Sequence, residues 1–158
     1  MGYEIERKWL VDDKIVPKDL LKLFFRVDQG YLEVLDPKNE EARVRRKGSR
    51  FFLTIKKGEG VKREETEVEI PYETYDAIYS LPHLSRIEKI RYEIPAGKHT
   101  IELDIYTGNL DGLATAEVEF DSLEESKSYI PPIWFGREVT EDKRYKNKNL
   151  AVYGLPQN

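Results

Sequence analysis

Carboxylates two residues apart occur at two places in the sequence. Glu4 and Glu6 lie near the N-terminus, and Glu117 and Glu119 lie further along the chain. Residues i and i+2 of a β-strand project from the same face, so each pair can present two carboxylates together. Such pairs suit a hard divalent cation that keeps several waters and bridges protein to phosphate. The spacing therefore predicts a magnesium or manganese site.

Basic residues follow the same alternation. Arg43 and Arg45 form one pair, Lys89 and Arg91 form another, and Lys56 lies between them in the sequence. Arginine offers a planar fork to phosphate oxygens and lysine a movable point charge, so a confined group of both matches a polyanion. A metal-bound polyphosphate invites hydrolysis, because the cation neutralises charge on the transferred phosphoryl group.

Short β-strands are expected to carry these residues, because charged and apolar side chains alternate with period two. The alternating segments are residues 4–9, 42–47, 51–56, 63–70, 89–92, 101–106 and 116–120. Glycine-bearing turns at 48–49 and 58–60 join some of them. About seven or eight strands at such short spacing predict an antiparallel sheet that closes into a barrel.

Helices are predicted between the strands, over residues 17–25, 72–81 and 122–129, so the fold class is α+β and mainly β. Ser122 and Glu125 form a capping-box pair at the start of the last helix. Helices packed outside would cover the apolar sheet face that carries Leu103 and Val118, leaving the charged face to line the interior. The alternative is an ordinary barrel with an apolar interior and a solvated charged exterior.

The composition limits the classes of protein. The 158 residues fit one domain over 1–158, and aromatic residues at 11% argue against disorder. With 26 basic and 30 acidic residues there is no global field for nucleic acid or membrane, so a small-molecule partner is expected. The absence of cysteine, of a signal peptide and of a long apolar run predicts a cytoplasmic protein. A homodimer stays open.

Several segments, in order, resemble the CYTH superfamily, the triphosphate tunnel metalloenzymes. Residues 4–8 match its E-x-E-x-K signature. The other matching segments are residues 29–32, 43–45, 53–56, 63–67, 89–91 and 116–119. The resemblance spans residues 4 to about 151 and implies an eight-stranded antiparallel tunnel that binds triphosphates with a divalent metal.

The resemblance also implies roles for individual residues. The predicted metal ligands are Glu4, Glu6, Glu117 and Glu119. The predicted phosphate-binding residues are Lys8, Arg43, Arg45, Lys56 and Arg91. Lys89 occupies the position of the base that activates water. The remaining acidic residues orient the basic side chains or hold a second metal, with Asp104 assigned to metal and the others being Glu65, Glu67 and Glu102. Residues 143–147 are expected in a C-terminal helix, either near one mouth of the tunnel or simply solvated.

The favoured function is hydrolysis of inorganic tripolyphosphate to pyrophosphate and phosphate, since the chain shows no separate pocket for an organic group. The same cations would serve a class IV adenylyl cyclase, which makes cyclic AMP from ATP, or a thiamine or nucleoside triphosphatase. A polyphosphate-binding module without catalysis is a further alternative. A purely structural lattice of salt bridges is disfavoured by its desolvation cost.

Overall fold

Eight antiparallel strands close into a barrel in the computed structural model, which describes residues 2–157. The strands are β1 (Gly2–Val11), β2 (Phe24–Leu32), β3 (Glu40–Lys47), β4 (Arg50–Lys57), β5 (Lys62–Glu69), β6 (Ser85–Ala96), β7 (His99–Tyr106) and β8 (Ala114–Glu119). Around the barrel their order is β1-β5-β4-β3-β2-β6-β7-β8, and β8 pairs with β1 to close the ring. The predicted barrel is confirmed.

A ninth strand, β9 (Phe135–Glu138), extends the sheet without joining the ring. It pairs with β1 around Trp9 and Val11, whereas β5 pairs with β1 from Gly2 to Ile5. Strand β1 therefore has different neighbours along its two halves. This arrangement leaves the N-terminal half of β1, with its carboxylates, inside the closed ring.

Three α-helices accompany the barrel: α1 (Tyr72–Tyr79), α2 (Leu123–Ser128) and α3 (Asn147–Tyr153). Short 3-10 helices lie at Asp13–Ile15, Lys18–Leu20, Gly108–Leu110 and Lys143–Tyr145. The Ser122 hydroxyl accepts a hydrogen bond from the Glu125 amide at 3.1 Å, which confirms Ser122 as the cap of α2, while the Glu125 carboxylate bonds His99 and does not complete the capping box. No helix within residues 2–157 has the length and hydropathy needed to cross a membrane.

The predicted helix over residues 17–25 is wrong. Only Lys18–Leu20 forms a single 3-10 turn, and β2 begins at Phe24. Strand β2 is buried on both faces from Val27 to Tyr31, so its sequence lacks the alternation of a half-exposed strand. Val16, just before that 3-10 turn, instead joins the apolar layer outside the barrel.

The apolar layer on the outside of the barrel covers β1, β6, β7 and β8. Trp9, Leu103, Val118 and Phe120 are buried there, and Trp134 from the segment after α2 packs on them. Because this face takes the apolar side chains, the opposite face of the same strands points inward with the charged ones. The predicted charged interior is thus what the packing produces.

A second apolar cluster closes one end of the barrel. Leu150 of α3 is 1% exposed and packs against Tyr31, Ile87 and Tyr106, which point inward from β2, β6 and β7. The Tyr106 hydroxyl also donates to Asn147 at 2.5 Å. Helix α3 therefore holds the C-terminal segment against the barrel interior, where residues 146 and 147 line a cavity.

Candidate functional site

A charged cavity of about 300 Å³ occupies the barrel interior. Twelve of the predicted site residues line it, namely Glu4, Glu6, Lys8, Arg43, Arg45, Lys56, Glu65, Glu67, Arg91, Glu102, Glu117 and Glu119. The other two, Lys89 and Asp104, lie fully buried behind this lining. We call this space the first cavity.

Carboxylates crowd one side of the first cavity because β1 and β8 are paired. Glu6 lies opposite Glu119 in the register, and Lys8 lies opposite Glu117. One oxygen from each of Glu4, Glu6 and Glu119 lies within 4.8 Å of the others. Three oxygens at this spacing form a donor set of the kind that hard divalent cations prefer.

The crowding raises the pKa of two of these carboxylates. Burial and the charge of Glu117 raise the pKa of Glu6 well above its usual range. Burial and the nearby carboxylates of Glu102 and Glu4 raise the pKa of Glu119 to about 7. Negative charge at this position is therefore under-compensated by the protein's own cations, and a metal ion would relieve it.

Lys56 and Arg63 border the other side of Glu4. The Lys56 ammonium donates to both Glu4 oxygens, at 2.9 and 3.0 Å, and Arg63 Nη2 lies 3.5 Å from Oε1. Burial alone would raise the pKa of Glu4, but the charge of Lys56 holds it well below its usual range. Glu4 is thus ionised, whereas Glu6 and Glu119 retain protons more readily.

Guanidinium groups of Arg43, Arg45 and Arg91 face into the first cavity from β3 and β6. Arg45 Nη2 donates to Glu67 at 3.1 Å, and Arg91 Nη1 donates to Glu102 at 3.0 Å. Burial, with the charges of Arg43 and Arg91, lowers the pKa of Arg45 to about 10. Like-charge crowding on this side is what an anion would relieve.

Two donors of this group have no partner among the described residues. They are the buried Nε atoms of Arg43 and Arg45. A buried polar group without a hydrogen bond costs free energy, so such donors mark a place where a ligand or water completes the bonding. Phosphate oxygens fit both the charge and the fork geometry of these side chains.

Lys89, Arg91 and Asp104 form a buried network behind the lining. Asp104 accepts from Arg91 Nε at 2.7 Å and Nη2 at 2.9 Å, and from Lys89 Nζ at 2.6 Å. Both Asp104 oxygens are thereby bonded to cations, and the residue lies outside the carboxylate group around Glu119. Burial lowers the pKa of Lys89 to about 8, although the charge of Asp104 opposes this.

The C-terminal segment contributes to the lining near Lys8. The Lys8 ammonium donates to the Tyr145 carbonyl at 2.6 Å and lies 3.7 Å from Glu117. Lys146 and Asn147 line the first cavity directly. The predicted helix over 143–147 is divided, because Lys143–Tyr145 is a 3-10 turn and α3 begins at Asn147.

Glu41 is a cavity residue that the sequence reasoning missed. It is 8% exposed, lies 3.7 Å from both Arg43 and Arg63, and lines the first cavity. The signal was present, since Glu41 precedes Arg43 and Arg45 at the same two-residue spacing. The two-residue alternation that places Arg43 and Arg45 on the inward face of β3 therefore also applies to Glu41, the second residue of the strand.

Comparisons with known proteins find close similarity over nearly the whole chain. The sequence-family model of the CYTH domain matches residues 2–150. The chain is 41% identical over 151 residues to an inorganic triphosphatase of Nitrosomonas europaea, covering 94% of this chain and 97% of that protein. It is 36% identical over 153 residues to an inorganic triphosphatase of Acetivibrio thermocellus, covering 96% and 94%. The crystal structure of the inorganic triphosphatase NE1496 matches with a TM-score of 0.68 and 37% identity, covering 99% of each chain.

Proposed function

This chain belongs to the CYTH family, and from that premise we propose that it hydrolyses inorganic tripolyphosphate to pyrophosphate and phosphate. The observation that carries the proposal is the first cavity, where a carboxylate group and a guanidinium group face the same enclosed space. Two relatives that carry the name inorganic triphosphatase align over almost their full length, which supports this substrate over an organic triphosphate.

The family implies a divalent cation, and the carboxylates of this chain fit one. Glu4, Glu6 and Glu119 bring oxygens within 4.8 Å of one another, and we assign Glu117, beside Glu6, to the same site. When bound, magnesium or manganese would neutralise charge on the phosphates and bridge them to these carboxylates. The raised pKa of Glu6 and of Glu119 supports this assignment, since neither carboxylate has enough basic neighbours of its own.

The basic side chains are proposed to hold the phosphates. Arg43 and Arg45 each keep a free buried Nε, and Arg91 is fixed in place by Asp104 and Glu102. Lys8 and Lys56 supply the two ammonium groups of the set, and each is held by hydrogen bonds, Lys8 to the Tyr145 carbonyl and Lys56 to Glu4. Cations that are held in place in this way orient a triphosphate before the chemical step, so that little reorganisation is needed during it.

The remaining acidic residues are proposed to position these cations. Glu67 holds Arg45, Glu102 holds Arg91, and Glu65 lies 3.7 Å from Lys56. Asp104 is better suited to this role than to metal binding, because both of its oxygens already accept hydrogen bonds from cations. We therefore propose Asp104 as the residue that orients Arg91 and Lys89.

In the proposed step, the oxygen of a water molecule forms a bond to the terminal phosphorus of tripolyphosphate. The bond between that phosphorus and its bridging oxygen breaks, and the bridging oxygen leaves with pyrophosphate. The attacking water gives up a proton, and Lys89 is the proposed acceptor. Burial favours the neutral amine that this role requires, because it lowers the pKa of Lys89 to about 8.

Product analysis tests the proposed function. The purified protein would be given tripolyphosphate, ATP or thiamine triphosphate at equal concentration, with magnesium or manganese and with EDTA as a control. Metal-dependent release of phosphate, chiefly from tripolyphosphate, supports the proposal. Cyclic AMP from ATP would replace it with a class IV adenylyl cyclase, and tight binding without turnover would replace it with a binding module.

Loss of carboxylates tests the metal assignment separately. Glu4→Gln and Glu119→Gln should each abolish metal-dependent turnover, whereas Glu124→Gln, at an exposed position of α2, should leave it unchanged. Circular dichroism should show an unchanged fold in all three variants. Full activity in both Glu4→Gln and Glu119→Gln would remove the assignment.

A further inference from the structure

Gln29 is a fully buried polar residue of β2 that lines the first cavity. Its amide nitrogen Nε2 donates to the Tyr31 hydroxyl at 2.6 Å. Its carbonyl oxygen Oε1 is also buried and has no hydrogen-bond partner among the described residues. An unpaired buried acceptor costs free energy, so this oxygen marks a place where a ligand or water completes the bonding.

The unpartnered oxygen of Gln29 differs in chemistry from the unpartnered Nε atoms of Arg43 and Arg45. Those nitrogens are donors, which phosphate oxygens can satisfy. An amide carbonyl is an acceptor only, and an ionised phosphate has no proton to donate to it. Oε1 therefore requires a group that carries a hydrogen. In a site for inorganic phosphates, that group is water.

The carboxylates proposed to hold the metal ion lie on the other side of the barrel from Gln29. Counted around the ring in either direction, β2 is four strands from β1, which carries Glu4 and Glu6. Gln29 instead lies opposite Arg45 in the register of β2 and β3. A guanidinium neighbour disfavours a metal ion at Oε1, so a water molecule is the better partner there.

The Tyr31 hydroxyl determines which end of the Gln29 amide is left for a ligand. Tyr31 is buried, and its ring packs in the second apolar cluster with Ile87 and Leu150. Burial and the charge of Glu41 raise the pKa of Tyr31 well above its usual range, so the hydroxyl stays neutral. Because the hydroxyl oxygen accepts from Nε2, Oε1 stays available as an acceptor.

The place of Gln29 in the sheet also suits the chemical step. On β6, Lys89 pairs with Val27, two residues before Gln29 on the same face of β2. Long side chains at such diagonal positions can reach one another. A water molecule between them can donate one hydrogen to Oε1 and the other to the neutral Lys89 amine. A lone pair of the water oxygen then stays free for the terminal phosphorus.

We propose that Gln29 orients the attacking water by accepting a hydrogen bond from it at Oε1, and that Tyr31 is the positioning residue for the amide. This inference rests on the proposed function, because it takes the first cavity to be the triphosphate site. As the water oxygen bonds to the terminal phosphorus, the bridging oxygen leaves with pyrophosphate. The hydrogen that faces Gln29 stays on the new phosphate, and the other passes to Lys89.

Gln29→Met tests the proposal, because it nearly keeps the length of the side chain but replaces the carbonyl with a weakly accepting thioether. We expect kcat for tripolyphosphate to fall about 10- to 100-fold while KM changes less than about twofold, since the lost contact is to water and not to phosphate. The affinity for tripolyphosphate, measured by calorimetry with EDTA present, should also change less than about twofold. Gln157→Met, at the other glutamine of the chain, which is exposed, should alter none of these values.

Tyr31→Phe tests the positioning role, because it keeps the packed ring and removes the partner of Nε2. In the wild-type background it should lower kcat about three- to tenfold. In the Gln29→Met background it should lower kcat less than about twofold further, because the amide that it positions is already gone. An equal loss of kcat in the two backgrounds would overturn Tyr31 as the positioning residue.

A kcat for Gln29→Met within about threefold of wild type would overturn the water-orienting role. An unchanged kcat with a weaker affinity for tripolyphosphate would instead make Gln29 a phosphate-binding residue. If Gln29→Met does not fold, Tyr31→Phe alone decides, and a kcat equal to that of wild type overturns the inference. Absence of tripolyphosphate turnover by the wild-type protein would overturn the proposed function and this inference with it.

Discussion

Glu119 is unfavourable for the metal-free fold at high pH, and it is also one of the proposed metal ligands. Its neighbours on β1, β7 and β8 are also carboxylates, and partial burial weakens the screening between them although Glu119 stays in contact with solvent. The protein therefore holds a proton on Glu119 up to a pH of about 7. A divalent cation must displace that proton, so metal affinity should rise as the pH passes through this value.

The same shift predicts how the metal-free protein responds to pH. The folded-state pKa of Glu119 lies above its ordinary value of 4.5, so the folded state binds the proton more tightly than the unfolded state does. This contribution to stability is complete below pH 4.5 and is lost as the pH rises to about 7. With EDTA present, Glu119→Gln should raise the Tm at pH 8 by a few degrees and have less effect at pH 5.

Thermal unfolding of wild type, Glu119→Gln and Glu124→Gln between pH 5 and 8 would check this. Addition of magnesium should raise the Tm of wild type at pH 8 and should have little effect on Glu119→Gln. If Glu119→Gln is less stable than wild type at pH 8 without metal, repulsion between carboxylates is not the main effect of Glu119 on stability.

Lys89 can be tested as a base by a substitution that keeps its charge. Arginine stays protonated at any pH used for assay, so Lys89→Arg preserves a cation beside Asp104 but cannot accept a proton. If Lys89 is the base, wild-type kcat should rise as the pH passes through about 8, and Lys89→Arg should lower kcat by about 10²–10⁴-fold without that rise. Arg43→Ala should mainly raise KM instead.

A kcat for Lys89→Arg within about threefold of wild type, with the pH rise intact, would assign Lys89 to positioning alone. A positioning role would also fit the structure, because the Lys89 ammonium lies behind the cavity lining and bonds to Asp104 at 2.6 Å. Lys89→Gln then serves as the comparison, since it removes the charge as well as the base.

At the scale of elements, α3 closes its end of the barrel by means of one apolar side chain. Leu150 is 1% exposed, and its neighbours in the cluster are large side chains that cannot easily fill a gap. Leu150→Ala should therefore cost about 2–5 kcal/mol in the free energy of unfolding, through lost burial and a residual cavity. Hydrogen exchange in Asn147–Tyr153 should become faster.

Val152→Ala is the matched control on the same helix, because Val152 is 49% exposed. Urea unfolding of both variants would give the comparison, with Val152→Ala expected within about 0.5 kcal/mol of wild type. Equal effects of the two substitutions would show that Leu150 does not anchor the helix.

The elements differ in how well the sequence predicted them, for a physical reason. Strands such as β3 and β4 have one mainly polar and one mainly apolar face, so period two is visible in their sequences. Strand β2 is buried on both faces between Val27 and Tyr31, and it shows no such period. A proline such as Pro17 is compatible with the start of an α-helix and equally with the start of the single 3-10 turn observed there.

At the scale of the whole molecule, alternation predicts which face of a strand points inward but not how deep a side chain lies. Asp104 has the same inward orientation as Glu102, yet Glu102 lines the first cavity and Asp104 is fully buried behind it. Depth depends on the stagger of strands around the barrel, which a single strand's sequence does not contain. This is why the face of Asp104 could be predicted from the sequence, whereas its hydrogen bonds to Arg91 and Lys89 could not.

The balance of charge in the first cavity predicts that a divalent cation and a polyphosphate bind cooperatively. Its eight acidic and eight basic residues cancel formally, so a polyanion alone meets the carboxylates and a cation alone meets the guanidinium groups. Bound together, each ligand screens the other from the like charges of the wall, and linkage requires the effect to be mutual. Thermal unfolding with magnesium, with an imido analogue of tripolyphosphate that resists hydrolysis, and with both should give a combined Tm shift larger than the sum of the separate shifts. Additive shifts would mean that the first cavity binds the cation and the polyphosphate independently of each other.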